Sequence, residues 1–492
     1  MIYNNIKIEL RNSVIYDISP ADNSIVLKID EQTHIFEDAS LSFGFIDSHL
    51  HFFGIGEVAL MPNFQNCKSE SEMIDLLKSR PFYRGDWLVG FGWNQENFPD
   101  TKFPTKDLFD IAFPDTPIFL KRIDGHSALI NSAAARILGV NDESEFDNTG
   151  YYHKNESGKF SGLLVDGAMT SAMDKIPFYS ANQIEEILDY SQNFLLKLGI
   201  TEVVDMDFNP LLFDFFKKYD EDGKFIIKIH SFIQAQDDFW LQINELPYKG
   251  NDWEVIGIKL YMDGSLGSRT AALLEEYSDD PNNFGLLVLD KSSLANKITQ
   301  AFSRNLQVAI HSIGDRAAKI ILDTINIYPN EIILPIRIEH SQIIDPKDYH
   351  YFNNPNIIAS VQPIHYVSDT KNGMAQKRLG TQRAENAYPW NSLLENNATL
   401  VAGSDAPIES PNPFLGIDAF INSTHSNELL SFEQALSAYT NTPYKLLHNT
   451  LPTLSIGSSP SLLILDKSFK DAKTIANTKI LATIINGNLI KI

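Results

Sequence analysis

Eight short apolar runs along the chain end in polar or ionisable residues. They are "GFIDSHLH" (44–51), "TEVVDMD" (201–207), "FIIKIHSFI" (225–233), "VIGIKLYMDG" (255–264), "LQVAIHSIGD" (306–315), "IRIEHSQ" (336–342), "IIASVQP" (357–363) and "TLVAGSD" (399–405). Near-continuous apolar strands read as parallel strands covered on both faces. Between them, "NQIEEILDYSQNFLLKL" (182–198) and "LANKITQAFSRN" (294–305) carry helical periodicity. Eight strand–helix units predict an α/β chain folded as a (β/α)8 barrel, where chemistry gathers at the C-terminal ends of the strands. A doubly wound open sheet shares the alternation, but does not need histidines concentrated at strand ends.

Two regions fall outside this count. Roughly 150 residues separate the first two strands, far more than an ordinary connection. They hold strand-like pieces of their own, "WLVGFGW" (87–93) and "PIFLKRIDGH" (117–126). This predicts a subdomain inserted at about 58–182 over the mouth of a barrel domain spanning 44–454. Residues 1–43 and 455–492 alternate or run apolar between turn residues such as Asn486-Gly487, and predict a small β domain built from both chain ends.

The candidate chemistry follows from the strand ends. Of 12 histidines, His49, His51, His230, His311, His340 and His365 fall there. Residues two apart in an extended chain share a face, so His49 and His51 converge. An isolated H-x-H is weak evidence, since a buried histidine is more often a hydrogen-bonded core residue than a ligand. In a barrel, however, His49, His51, Lys259, His311, His340 and Asp405 all meet one rim. Imidazoles and carboxylates suit zinc and other divalent first-row metals.

Lys259 lacks a lone pair when protonated. Burial favours the neutral amine, which adds CO2 to give a carbamate able to bridge two metals; the competing reading is an ion pair with Asp263 or Asp405. Asp405, in "GSDAP", is the best proton shuttle, with a turn or cap role ahead of Pro407 as its alternative. Candidate substrate contacts are Asp263 and Arg269 in "DGSLGSR", Gln362 and His365 in "QPIH", and Trp93, His126 and Asn131 from the insertion. His230, Asp205 and Asp207 read as packing inside the barrel. Other nucleophile schemes fare poorly: no G-x-S-x-G elbow or G-x-x-x-x-G-K-[ST] loop occurs, and the single cysteine, Cys67, has no evident histidine partner.

Composition narrows the partners. The chain has 492 residues, a net charge of −23 and 43% apolar residues. Such acidity disfavours nucleic acid and anionic membrane and leaves a small-molecule substrate. One cysteine precludes an intramolecular disulfide, no signal-peptide pattern opens the chain, and no apolar run is long enough to span a bilayer, so a cytoplasmic location is expected. A homodimer is compatible with a large acidic barrel, though no feature specifies one.

With these residues in hand, the chain resembles the amidohydrolase superfamily, and within it the amidohydrolase-3 group of YtcJ-like hydrolases and N-substituted formamide deformylase. The matching blocks occur in order: "GFIDSHLH", "DGHSALINS", "GIKLYMDGSLGSRTAAL", "AIHSIGDRA", "RIEHSQ", "SVQPIH", "RLGTQRAENAYPW" and "GSDAPIESPNPF". "LSIGSSPSLLILD" departs from the pattern, with Ser-Pro where Ala-Asp is usual, and bears only on the small domain.

The resemblance implies a metal centre of one or two ions, zinc expected, held by His49, His51, Lys259 (carboxylated where it bridges two ions), His311, His340 and Asp405. Asp405 is then also the general acid/base. The expected reaction is hydrolysis of a non-peptide carbon–nitrogen bond, in an amide or an N-acyl or N-formyl amine. Ester, lactone or phosphoester hydrolysis, ring deamination, and a non-catalytic metal-binding relative are the alternatives.

Overall fold

A computed structural model describes residues 2–147, 149–326, 333–470 and 472–490. Its centre is a run of eight parallel strands: β1 (Phe45–Leu50), β2 (Ile200–Phe208), β3 (Lys228–Gln234), β4 (Trp253–Tyr261), β5 (Gln307–Ser312), β6 (Ile336–His340), β7 (Ile357–Val361) and β8 (Thr399–Ala402). Each pairs with the next in chain order. The chain folds as a (β/α)8 barrel.

The last seam, between β8 and β1, closes on the loop after β8. The backbone N–H groups of Ser404 and Asp405 donate to the His49 carbonyl at 3.1 and 2.7 Å. Asp47 Oδ1 accepts from the N–H of both His49 and Ser404. Gly403 makes this approach possible, because a Cβ there would lie 2.3 Å from the His49 nitrogen. β1 to β8 are almost wholly buried, as expected for strands covered on both faces. Helices such as Lys291–Ser303, whose first turn Asp290 caps through Ser293 N–H, lie between successive strands.

One register differs from the sequence expectation. The apolar run 225–233 begins before its strand: Phe225 and Ile227 are buried, but the ladder starts at Lys228. His230 therefore lies near the start of β3, at the end of the barrel away from His49 and His340. It does not end a strand.

The two chain ends meet in one core. A sheet of Ile2–Tyr3, Ser40–Phe43, Leu462–Leu465, Ile480–Ile485 and Asn488–Ile490 shares buried side chains, including Leu41, Ile464 and Ile484, with a sheet formed by residues 6–37. Residues 491–492 of the terminal apolar run lie outside the described residues.

Residues Phe53–Ser191 form a compact unit of their own. Its six-stranded sheet contains Trp87–Trp93, Ile118–Arg122, Ser127–Ile130 and Phe160–Asp166. Alternate residues feed two apolar cores: Val89, Phe119, Ala128 and Ile130 enter one, Leu88, Leu120 and Leu129 the other. Among the described residues no helix is long and apolar enough to cross a membrane.

Candidate metal centre

The C-terminal ends of the barrel strands bring together His49, His51, Lys259, His311, His340 and Asp405. His49 Nε2 and His51 Nε2 lie 3.4 and 3.1 Å from Asp405 Oδ1. The His49 and His340 rings are 5.0 Å apart, and those of His340 and His311 4.5 Å. His49, His340 and Asp405 each offer a ligand atom, and these atoms lie within 4.8 Å of one another. His340 and Asp405 have positive φ, 73° and 61°. Such strained backbone at strand ends persists where the surrounding structure holds it.

The partners of these side chains decide which nitrogens are free. His49 Nδ1 meets Glu339 Oε2 at 2.6 Å, and His340 Nδ1 meets Gln362 Oε1 at 2.7 Å. With Nδ1–H donated to an oxygen, Nε2 keeps the lone pair, the tautomer a metal ligand needs. His311 Nε2 faces the Gly264 carbonyl at 3.2 Å, leaving Nδ1 as its free nitrogen. Burial, reinforced by Lys259, pushes the His311 imidazole down to about 3, and burial with His311 and His49 nearby holds His340 well below its ordinary value. Both are neutral donors at physiological pH. Two imidazole nitrogens and a carboxylate oxygen with fixed tautomers fit a divalent ion.

Asp405 is buried, which alone would raise its pKa, yet hydrogen bonds and charge from His49 and His51 hold it well below the ordinary carboxylate range. Its other oxygen, Oδ2, lies 3.7 Å from His365 Nε2, a buried nitrogen without a hydrogen-bond partner among the described residues. Gln362 Nε2 is likewise buried and has no hydrogen-bond partner among the described residues. Gln362 thus orients His340 through its oxygen, while His365 stands beside the proposed proton carrier. Lys259 is buried on β4, 5.2 Å from the Tyr261 ring centroid. Burial lowers its pKa against the opposing pull of Glu339, Asp405 and Asp207. Among the described residues it has no ion pair with Asp263 or Asp405.

Four residues expected at the substrate have partners within the fold. Asp263 accepts from the N–H groups of Ala272, Ile313 and Gly314, tying the loop after β4 to the end of β5. Arg269 is held bidentately by Asp279. Asn131 is fully buried; it accepts from Ile118 and Ala134 N–H and donates to the carbonyls of Phe113 and Thr116. Trp93 is buried in the inserted unit, its indole N–H on the Leu120 carbonyl. His126 is exposed in that unit and meets Asp166 at 3.1 Å.

Two residues were not expected. Glu339 Oε1 accepts from Arg337 Nε at 2.7 Å, and Arg337 also reaches the Ser48 carbonyl and Ser360 Oγ. Both are buried. Their signal was present in "IRIEH": an arginine and a glutamate alternating inside an otherwise apolar strand need each other.

The model of the amidohydrolase family matches residues 41–490. "Protein LONG AFTER FAR-RED 3" of Arabidopsis thaliana is 32% identical, over 90% of this chain and 81% of that protein. "Putative amidohydrolase YtcJ" of Bacillus subtilis (strain 168) is 31% identical, over 78% and 74%. N-substituted formamide deformylase of Arthrobacter pascens is a more distant relative, 22% identical over 91% and 87%. Among solved structures, a metal-dependent hydrolase from Pyrococcus furiosus superposes with a TM-score of 0.76 at 25% identity, covering 94% of this chain and 98% of its own. The chain belongs to the amidohydrolase family of metal-dependent hydrolases.

Proposed function

We propose that this protein hydrolyses a non-peptide carbon–nitrogen bond in a small amide or N-acyl or N-formyl amine, with Asp405 as general acid and base. The observation that carries this reading is the place of Asp405, shared between two imidazoles on one oxygen and facing His365 on the other. His49, His340 and Asp405 would hold a divalent ion, with zinc expected from the nitrogen and oxygen donors, and such an ion would supply an acidified water and a polarised carbonyl.

The chain's own residues supply the rest. Asp405, whose pKa lies well below the ordinary carboxylate range, accepts the proton released by the attacking water. It then returns that proton to the departing amine, which would otherwise leave as an unstable amide anion. His365 offers an unpartnered buried nitrogen to a polar group of the substrate. His51, His311 and Lys259 extend the ligand set. Burial favours the neutral amine of Lys259, which could add CO2 with loss of a proton, and the carbamate would then serve as an anionic ligand.

The carbon–nitrogen class rests on kinship: the Arthrobacter relative is named for deformylation of N-substituted formamides. A panel of N-formyl amines, N-acyl amines, esters, lactones, phosphoesters and ring amines, assayed with added zinc, tests it. Turnover of the first two classes, lost in Asp405→Asn, is expected. Turnover confined to the other classes, or none at all, overturns the proposal.

A further inference from the structure

The N-terminal end of the barrel carries a second group of donors. β2, β3 and β4 each place an ionisable residue close to their starts, Glu202, His230 and Glu254, and His448 ends the helix Asn441–His448. His230 Nε2 and His448 Nε2 both meet Glu202 Oε1, at 2.6 and 2.7 Å. One donor atom from each of the three residues lies within 4.8 Å of the others. Glu202 and His230 are buried and His448 is half-buried.

This group is distinct from the centre at Asp405. Lys259 belongs to that centre and Glu254 to this group, and both lie on β4. Five residues of extended strand separate them by roughly 16 Å.

We propose that Glu202, His230 and His448 form a second divalent-cation site of zinc type, which pins the helix Asn441–His448 to β2 and β3. Two imidazole nitrogens and one carboxylate oxygen are a zinc donor set. Glu254 supplies the outer support such a site needs: its Oε1 meets His230 Nδ1 at 2.5 Å, fixing the ring so that Nε2 is the ligating nitrogen. A cavity of about 150 Å³, lined by Lys228, His230, Trp253, Glu254 and His448 among others, borders both histidines of the group. Without an ion, protons shared between the two Nε2 atoms and Glu202 hold the group together; a bound cation takes their place and releases them. The site stands independently of the proposed hydrolytic reaction.

Zinc binding to chelator-stripped protein tests this. The double variant His49→Ala/His340→Ala, which removes both imidazole ligands grouped with Asp405, is expected to bind one equivalent of zinc through the second site and to unfold at a higher temperature when zinc is added. Adding His448→Ala should remove both effects. Should the double variant not fold, wild type and His448→Gln are compared instead, with one equivalent fewer expected in the variant. No zinc in the double variant, or the same number of equivalents with and without His448, overturns the proposal and leaves a proton-linked ion-pair cluster.

Discussion

At the scale of single residues, the centre depends on side chains that need never touch a substrate. His49 is aimed by Glu339, and Glu339 is paired with Arg337 inside the barrel. In Glu339→Gln an acceptor for His49 Nδ1–H survives, but Arg337 is left buried without a counter-charge. The expected cost is ~3–5 kcal/mol of folding stability, read from urea unfolding, together with about 10–100-fold weaker metal binding, read by competition with a chelator. Unchanged stability and affinity would contradict this role.

The same scale shows why parts of the site could be read from sequence. His49, His51, His311, His340 and Asp405 stood out because ionisable groups end apolar runs, where a covered strand has little other use for them. Asp263, Arg269 and Asn131 carried no such distinction. Capping a loop, clamping a turn and binding a ligand all use the same residue types, so the three N–H groups around Asp263 and the Asp279 clamp on Arg269 were not legible in the sequence. Trp93 looked like a pocket wall because aromatic residues suit both pockets and cores.

At the scale of elements, the eight strands were legible because each is covered on both faces and so reads as a continuous apolar run. Their starts were not legible. Phe225 and Ile227 are as apolar as a strand yet precede the ladder of β3, and this shifted His230 to the wrong end of the barrel. The closing seam was hidden too, since it rests on backbone donors and on a missing side chain at Gly403. Gly403→Ala would place a methyl 2.3 Å from the His49 nitrogen and 2.9 Å from its Cα. It should cost about 1–3 kcal/mol and weaken metal uptake by displacing His49. Gly267→Ala, where nothing lies within 4 Å, is the control and should change neither. Equal urea midpoints for the two variants would contradict the account of the seam.

At the scale of the whole molecule, one barrel holds donor clusters at both ends. The C-terminal rim gathers four imidazoles, those of His311 and His340 held neutral, around a carboxylate held ionised, an arrangement that fits a hydrolytic centre. The N-terminal face, where barrels ordinarily keep residues for stability, gathers two histidines and two glutamates between strands and a late helix. Polarity of the barrel thus separates chemistry from reinforcement along a single strand, with Lys259 at one end of β4 and Glu254 at the other.

The most direct test of the central claim is the metal content of wild type and Asp405→Asn, each purified without chelator, set beside their turnover of an N-formyl amine. The account predicts a divalent metal in both proteins and turnover about 10²–10⁴-fold lower in the variant, the usual contribution of a positioned acid–base group. A folded, metal-free wild type whose activity does not respond to zinc, or an Asp405→Asn protein with full turnover, would contradict it.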